Sequence, residues 1–309
     1  MDARLRHPLA DLVTVMWHYV RDPDAEPRVG ATAVDPVTFE DQIDLIGRSR
    51  TVVGWPAVAA ALGGGRGLPS DAVLLTFDDG LVDHHRTVLE HLARRGWPGV
   101  FFVTARRTGE RLSVGHRIHV LLATLTPDEV RAAVLHRLGR TDRARFLGAE
   151  RRERAAGVDA IDVLKRPLQR DLAQAAGPIL SALIDERWGS EADLADAIHV
   201  SATQVADLRG AGMTIGGHGR HHLWLDWEPA DRVWAEVADS AAFLADEPKP
   251  WSFAYPYGAG HPVAAAALAK AGFSAAFHAR TTMATGPFDL GRVDAEAAGV
   301  GTMLRGSGR

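Results

Sequence analysis

The sequence contains no cysteine among its 309 residues. Disulfide bonds, thiolate metal ligands and a cysteine nucleophile are therefore all excluded. No apolar run is long enough to span a bilayer, and the charged segment 1–12 has no apolar core of the kind that a secretory signal requires. From these absences we expect a cytoplasmic protein without a transmembrane segment.

A strong charge of either sign is also absent. The formal net charge is -4 at pH 7, whereas nucleic-acid-binding domains usually carry a strongly basic face. Arginines crowd together between residues 131 and 154, but such runs are commonly solvated helical faces. We therefore expect no nucleic-acid partner, and the oligomeric state stays open. A chain of this length can form one large α/β barrel or two domains.

The order of apolar and polar segments predicts an α/β protein. Apolar runs at 14–19, 73–77 and 100–104 are typical of strands, and residues 81–95 show helical periodicity. A strand, a helix and a strand in that order favour a right-handed parallel unit. Further predicted elements are helices at 36–45, 56–62, 202–210 and 262–271, and strands at 213–215, 251–254, 274–278 and near residue 290.

The stretch 107–199 differs from both of its flanks. Its Ala, Arg, Leu and Asp residues recur with helical periodicity, and Thr126 is followed by Pro127, an N-cap before a proline at the first helical position. We interpret 107–199 as a helical insertion, and 1–106 with 200–309 as a single barrel domain. Because long insertions near active sites are often functional, we expect this one to cover the site as a lid.

The most informative motif is Thr76-Phe77-Asp78-Asp79-Gly80. Its two adjacent carboxylates follow an apolar run that is typical of a buried strand, and strand ends that lead into loops commonly hold reactive groups. Neighbouring carboxylates repel each other unless a proton or a cation lies between them. The motif therefore indicates a metal-dependent active site, with the other metal ligands elsewhere in the chain.

Two histidines, His218 and His222, are four residues apart. This spacing predicts that both imidazoles lie on one side of a helical turn. Imidazole and carboxylate ligands suit Zn²⁺, with Co²⁺, Ni²⁺ and Fe²⁺ as alternatives, and three protein ligands leave a position for water. A zincin motif would require glutamate where Gly219 stands, so Asp79 is the preferred third ligand. We interpret His221 as structural.

With these motifs in view, the chain resembles the polysaccharide deacetylase family, the NodB-homology group similar to carbohydrate esterase family 4. Residues 76–80 match its first motif, residues 218–222 match its histidine motif, and residues 253–258, with the sequence FAYPYG, are similar to its third. The flanks at 17–19 and 203–217 agree as well. The resemblance covers about residues 10–106 and 200–295 and leaves out the insertion.

The resemblance implies a distorted (β/α)7 barrel of the NodB-homology type, with a helical insertion and a site at the carboxyl ends of the strands. By matching position, Asp78 would be the general base, and Asp79, His218 and His222 the metal ligands. The backbone N–H of Tyr257 would help to hold the oxyanion. The implied activity is metal-dependent removal of an N-acyl group, most commonly acetyl, from a soluble or lipid-linked amino sugar or sugar-like intermediate.

Two positions depart from the family pattern. Ala254 stands where the family commonly has an arginine that orients the base, and Arg292 is the candidate to replace it. The late histidine that serves as general acid in many members is also absent. His18 and His278 are the first candidates for that role, before the histidines of the insertion.

The substrate contacts are less well defined by the sequence. We expect Tyr255, Pro256 and Trp224 to contact the substrate, although aromatic residues on turns also pack into cores. The same site could instead serve a deformylase, an O-deacetylase or another amide hydrolase. Because one fold can host unrelated functions, a catalytically silent NodB-like binding protein is a further alternative.

Overall fold

The computed structural model describes residues 9, 12–30, 33–281, 285–296 and 300. Most of the segment 1–12, for which we expect no secretory signal, lies outside the described residues. The chain divides into two compact units. Unit 1 comprises Met1–Asp22, Ala33–Arg106 and His199–Arg309, and unit 2 comprises Pro23–Thr32 and Arg107–Ile198.

The described part of unit 1 contains an eight-stranded sheet in which every pairing is parallel. Its order is β7-β6-β5-β4-β3-β1-β8, and β2 also pairs with β3. All residues of β3 are buried, as expected for a central parallel strand that is covered on both faces. The strands are β1 (Val13–Trp17), β2 (Thr51–Val52), β3 (Ala72–Phe77), β4 (Val100–Val103), β5 (Thr214–Gly217), β6 (Trp251–Ala254), β7 (Phe273–Phe277) and β8 (Val293–Asp294).

The segment that follows Pro287 connects the two ends of this sheet. Leu290 donates its N–H to the carbonyl of Ala276 in β7 at 3.0 Å, and Arg292 donates its N–H to the carbonyl of Arg280, also at 3.0 Å. The same segment then forms β8, which pairs with β1. The parallel sheet is therefore curled on itself with helices around it, which confirms the predicted distorted (β/α)7 barrel.

The helices of unit 1 begin where the sequence supplies caps and bury an apolar face. Asp35 accepts hydrogen bonds from the first turn of α1, and Ser201 forms a capping box with Gln204 at the start of α10. Phe39 of α1 packs edge-on against Trp17 and Phe77 in the core between helix and sheet. These helices are α1 (Pro36–Ser49), α2 (Trp55–Leu62), α3 (Leu89–Arg95), α10 (Ala202–Gly210), α11 (Ala230–Phe243) and α12 (Pro262–Ala271).

The helix predicted at 81–95 is present from residue 82, but a π-helical turn at His84–Val88 interrupts it, and regular α-helix resumes at Leu89. The wider turn places the buried imidazole of His84 against Phe77 and Phe101, where its Nε2–H donates to the carbonyl of His18 at 3.0 Å. The π-helical turn is therefore accompanied by a buried hydrogen bond. Such turns within α-helices are frequent at functional sites.

Unit 2 is built from helices in its described residues. The side chain of Glu191 is fully buried, and it accepts hydrogen bonds from the Arg117 side chain at 2.6 Å and from the Leu112 backbone at 2.9 Å. Gly30 donates its N–H to the carbonyl of His119 at 2.7 Å, which attaches the segment Pro23–Thr32 to this unit. The helices are α4 (Val114–Leu122), α5 (Pro127–Arg137), α6 (Arg140–Ala155), α7 (Ala160–Arg166), α8 (Ala173–Trp188) and α9 (Glu191–Ile198), with a π-helical turn at Pro167–Asp171.

Within the described ranges, no helix has both the length and the apolar character that crossing a membrane requires. The cytoplasmic location and the lid role of residues 107–199 stay predictions.

Candidate metal centre and active site

The two adjacent carboxylates lie in a tight turn directly after β3. Asp78 continues the strand pairing by donating its N–H to the carbonyl of Trp17 at 2.9 Å. Asp79 and Gly80 then adopt left-handed conformations, with φ of 76° and 64°. A Cβ atom on Gly80 would lie 2.8 Å from Cγ1 of Val103, so only glycine fits this position. The turn gives the two buried carboxylates different neighbours.

Asp79 faces both histidines of the second motif. Its Oδ1 lies 3.1 Å from Nε2 of His218 and 3.1 Å from Nε2 of His222, and the three potential ligand atoms all lie within 4.8 Å of one another. Nδ1–H of His218 donates to the carbonyl of Ala254 at 2.8 Å, which leaves the Nε2 lone pair directed at Asp79. A lone pair so close to a carboxylate oxygen is favourable only with a proton or a cation between them.

These residues therefore fit a divalent cation. Two imidazole nitrogens and one carboxylate oxygen are the donor set that zinc takes in many catalytic sites, and cobalt, nickel and iron accept the same donors.

The helical turn predicted from the four-residue spacing of these histidines is wrong. His218 follows β5 and enters an irregular loop, in which Gly219 has φ of +70° and His222 has φ of 53°. The two left-handed residues reverse the chain, and the imidazole centroids come within 5.0 Å of each other. The spacing identified the two histidines, but strand-end loop geometry and not helical periodicity brings them together.

Asp78 is held by Arg292. The guanidinium donates in a bidentate manner, from Nη1 to Oδ1 and from Nη2 to Oδ2, each at 2.6 Å, and both side chains are buried. Nε of Arg292 donates to the carbonyl of His278 at 3.0 Å, which fixes the guanidinium plane. Burial raises the pKa of Asp78, but Arg292 and the nearby His218 lower it by more, so the net pKa lies below its ordinary value. Arg292 therefore contacts the carboxylate that it was hypothesised to orient, and its catalytic role stays a prediction.

His18 directly follows β1, as Asp78 directly follows the neighbouring strand β3, so the two residues lie next to the last paired residues Trp17 and Phe77. Its backbone N–H donates to Oε1 of Glu296 at 3.1 Å, and its Nδ1 lies 3.5 Å from the same oxygen. Burial lowers the pKa of His18, but Glu296 and the charges of Asp79 and Asp78 raise it by more, to about 10. The sequence pattern did not single out Glu296, because the two-residue strand before it is too short to register as an element.

His278 is also buried, but both of its ring nitrogens face oxygen atoms of the protein. Nδ1 lies 2.9 Å from the carbonyl of Gly258, and Nε2 lies 2.9 Å from Oδ1 of Asp289. Of the two histidines predicted as general-acid candidates, His18 therefore has the better placement.

The third motif ends β6 and forms a short turn. Tyr255 is 1% exposed and donates its hydroxyl to the carbonyl of Phe288 at 3.1 Å, and Pro256 is buried as well. Both side chains are buried, and the predicted contacts of Tyr255 and Pro256 with substrate stay a prediction. Tyr257 has a left-handed backbone, with φ of 57°. Its ring stacks on Trp224 at 4.6 Å and meets His222 edge-on at 4.4 Å, so Trp224 has one face covered.

The chain belongs to the polysaccharide deacetylase family, a family of hydrolases that act on carbon–nitrogen bonds. The family model described as "Polysaccharide deacetylase" matches residues 65–136 and 174–276. The match includes Asp78 and the three candidate metal ligands Asp79, His218 and His222. The match also extends into 107–136 and 174–198, two parts of the insertion that we had expected to lie outside the family resemblance. His18 and Arg292 lie outside the matched residues.

Solved structures share the fold at low sequence identity. The Streptococcus pyogenes deacetylase PplD, in complex with acetate, is 14% identical, with a TM-score of 0.59 over 95% of this chain and 96% of that chain. IcaB from Ammonifex degensii is 20% identical, with a TM-score of 0.57 over 96% and 97%. A de-N-acetylase from Aggregatibacter actinomycetemcomitans is 15% identical, with a TM-score of 0.56 over 95% and 98%. No curated protein matches the chain. The likeness confirms the NodB-type barrel.

Proposed function

We propose that this protein is a metal-dependent deacetylase that removes the acetyl group from the nitrogen of an amino sugar. The observation that carries the proposal is the convergence of Asp79, His218 and His222 next to a second carboxylate, Asp78, that Arg292 holds in place. A buried, oriented carboxylate beside a site for a cation is the arrangement that hydrolysis by an activated water requires.

In this proposal Asp79, His218 and His222 hold the cation, with zinc as the first candidate. When bound, a divalent cation supplies Lewis acidity, which lowers the pKa of water to about 7 in favourable sites and polarises an acyl oxygen. Asp78 accepts the proton of the water that attacks the acyl carbon. Arg292 supports this role in two ways. It favours the ionised form of the Asp78 carboxylate, and its two hydrogen bonds, one to each carboxylate oxygen, fix the orientation of that carboxylate.

The backbone N–H of Tyr257 is the proposed donor to the oxyanion. The left-handed turn at Tyr257 and the contact of its ring with His222 support this assignment, since a rigid donor needs no reorganisation during the reaction. One such donor is worth roughly 3 kcal/mol of transition-state stabilisation where donors of this kind have been removed.

His18 is the proposed general acid that protonates the leaving nitrogen. Despite burial, Glu296 raises the pKa of His18, which favours the protonated imidazole, and the residue directly follows β1 as Asp78 follows β3. We expect His18→Gln to lower kcat by roughly 100-fold or more, in line with a lost general acid. His278→Gln serves as the matched comparison and should lower kcat less. The reverse order of effects, measured by steady-state kinetics, would assign the role to His278.

The proposed substrate class is based on solved structures that share the fold. The neighbouring structures include a deacetylase bound to acetate and a de-N-acetylase, which favours an N-acetyl group over formyl or O-acetyl. We propose that the substrate is a carbohydrate or a lipid-linked sugar intermediate. We also propose that residues 107–199 act as a lid that restricts which substrates can enter the site.

The proposal is tested by incubating the zinc-loaded protein with a panel of N-acetylated, N-formylated and O-acetylated sugars and nucleotide sugars. Mass spectrometry detects the loss of each acyl group, and Asp78→Asn is the control. The proposal predicts release of acetate from nitrogen, abolished in the variant. Formate release or O-deacetylation would support the other hydrolases. A wild type as inert as the variant, with metal bound, would support a silent binding protein.

A further inference from the structure

Glu236 of α11 is a buried carboxylate next to the loop that carries both candidate histidine ligands. It is 3% exposed. Its Oε2 accepts the backbone N–H of Arg220 at 2.8 Å and that of His221 at 3.0 Å, and its Oε1 lies 2.6 Å from Nδ1 of His221. A carboxylate removed from water is stable only when such donors satisfy it, so these contacts account for its burial.

The loop offers Glu236 a preformed anion site. Gly219 has a left-handed backbone, and successive N–H groups that follow such a residue converge on one point, the arrangement called a nest. A Cβ atom on Gly219 would lie 2.9 Å from Oε2 of Glu236, so glycine is also needed for the carboxylate to approach. In this protein the nest holds an internal carboxylate rather than an external anion.

The path of this loop determines where the two histidine side chains meet. Only residues 219–221 separate His218 from His222, and His222 has φ of 53°, a conformation that costs a residue other than glycine about 1–3 kcal/mol. The loop backbone is also held by the N–H of Ala105, which donates to the carbonyl of Gly219 at 2.8 Å. The hydrogen bonds to Glu236 fix the two backbone N–H groups directly before His222 and so help to hold it in this conformation.

We infer that Glu236 is a positioning residue that preorganises the ligand loop for the cation, an inference that rests on the metal centre of the proposed function. Glu236 does not reach the ligand atoms itself. It fixes the backbone of Arg220 and His221, and so the separation of the two imidazoles. Residues that orient metal ligands in this way commonly contribute about 10- to 100-fold to metal affinity.

The test is a zinc titration of the full chain in competition with a chromophoric chelator. Glu236→Ala removes all three contacts and should weaken zinc binding about 100-fold, whereas Glu236→Gln keeps one oxygen acceptor and should weaken it about 10-fold. Glu247→Gln is the matched control, since Glu247 is a buried carboxylate of the same unit that pairs with Arg209 instead. Its zinc affinity should stay within twofold of wild type.

Circular dichroism reports whether each variant is folded, and Glu236→Gln decides the question if Glu236→Ala does not fold. Excess zinc should restore most of the hydrolytic activity of a folded Glu236 variant. A folded variant that binds zinc within twofold of wild type would overturn this inference and leave the proposed function intact. A wild type that binds no zinc would instead overturn the proposed function.

Discussion

At the scale of single residues, the adjacent aspartates Asp78 and Asp79 differ in their proposed roles because different residues surround them. Asp78 faces a guanidinium, whereas Asp79 faces two imidazoles. The left-handed turn at Asp79 and Gly80 separates them. The identity of both aspartates was predictable from the sequence, because few other reasons exist to end an apolar strand with two carboxylates. Arg292 was a hypothesis only, since it lies 214 positions after its partner Asp78 in the sequence and nothing local links them.

Replacing Arg292 tests its role as the partner of Asp78. We expect Arg292→Met to cost about 3–5 kcal/mol of unfolding free energy, because it leaves a buried carboxylate unpaired. Activity should fall roughly 10- to 100-fold, since the base loses its orientation. Arg292→Lys keeps the charge but not the bidentate geometry and should have an intermediate effect.

The matched control for Arg292 is Arg280→Met. Arg280 is 58% exposed and lies 3.5 Å from Asp289, so its loss should change stability by less than about 0.5 kcal/mol. Urea denaturation and steady-state kinetics provide both measurements. Equal effects of Arg292→Met and Arg280→Met would contradict the assignment.

At the scale of elements, the strands and helices of unit 1 follow the sequence pattern closely, and the departures have local physical causes. The strand expected at 213–215 is observed at Thr214–Gly217, because its two glycines lack the apolar side chains by which strands are recognised. The helix expected at 81–95 is interrupted by the buried hydrogen bond of His84. The second difference comes from a hydrogen bond between residues far apart in the sequence, which the periodicity of one segment does not show.

Substituting Gly216 tests why β5 is glycine-rich. A Cβ atom there would lie 2.5 Å from Cδ1 of Phe102, whose ring is buried and packs on Phe277. We expect Gly216→Ala to destabilise the fold by about 1–3 kcal/mol through overpacking. Gly210→Ala is the comparison, because nothing lies within 4 Å of its added Cβ. Thermal denaturation should separate the two variants, and equal melting temperatures would refute the packing argument.

At the scale of the whole molecule, the sequence predicted a barrel and a helical segment but not the full composition of each unit. Pro23–Thr32 groups with the helices of unit 2, although this short polar segment has no periodicity that could reveal its partner. The family model also matches parts of 107–199, which we had placed outside the family resemblance. The short motifs on which that resemblance was based lie at strand ends and do not reveal which helices belong to the family.

The acid stability of the molecule should depend on a buried carboxylate in unit 2. Hydrogen bonds from Arg131 and Arg154 lower the pKa of Glu150 despite its partial burial. A folded-state pKa below the unfolded value stabilises the fold above about pH 4.3, the ordinary value for glutamate, and this contribution is lost as the pH falls through the lowered pKa. Arg131→Met should therefore destabilise the protein by roughly 1.5–3 kcal/mol at pH 7, and by progressively less below pH 4.

The comparison for that experiment is Arg137→Met, which removes a more exposed pair with Glu186. Its effect on unfolding free energy should be under about 1 kcal/mol at both pH values. A destabilisation by Arg131→Met that stays constant from pH 7 to pH 3 would show that packing, and not the ionised Glu150, causes it.

In the proposed function, Asp79, His218 and His222 hold one cation, while Asp78 acts as the base without binding it. The decisive experiment is a parallel measurement of zinc affinity and acetate release in wild type, Asp78→Asn and His222→Ala. We expect Asp78→Asn to bind zinc within a few-fold of wild type yet to lose roughly 100- to 10,000-fold in kcat, and His222→Ala to lose both zinc binding and activity. Undiminished zinc binding by His222→Ala, or an active Asp78→Asn, would contradict this proposal.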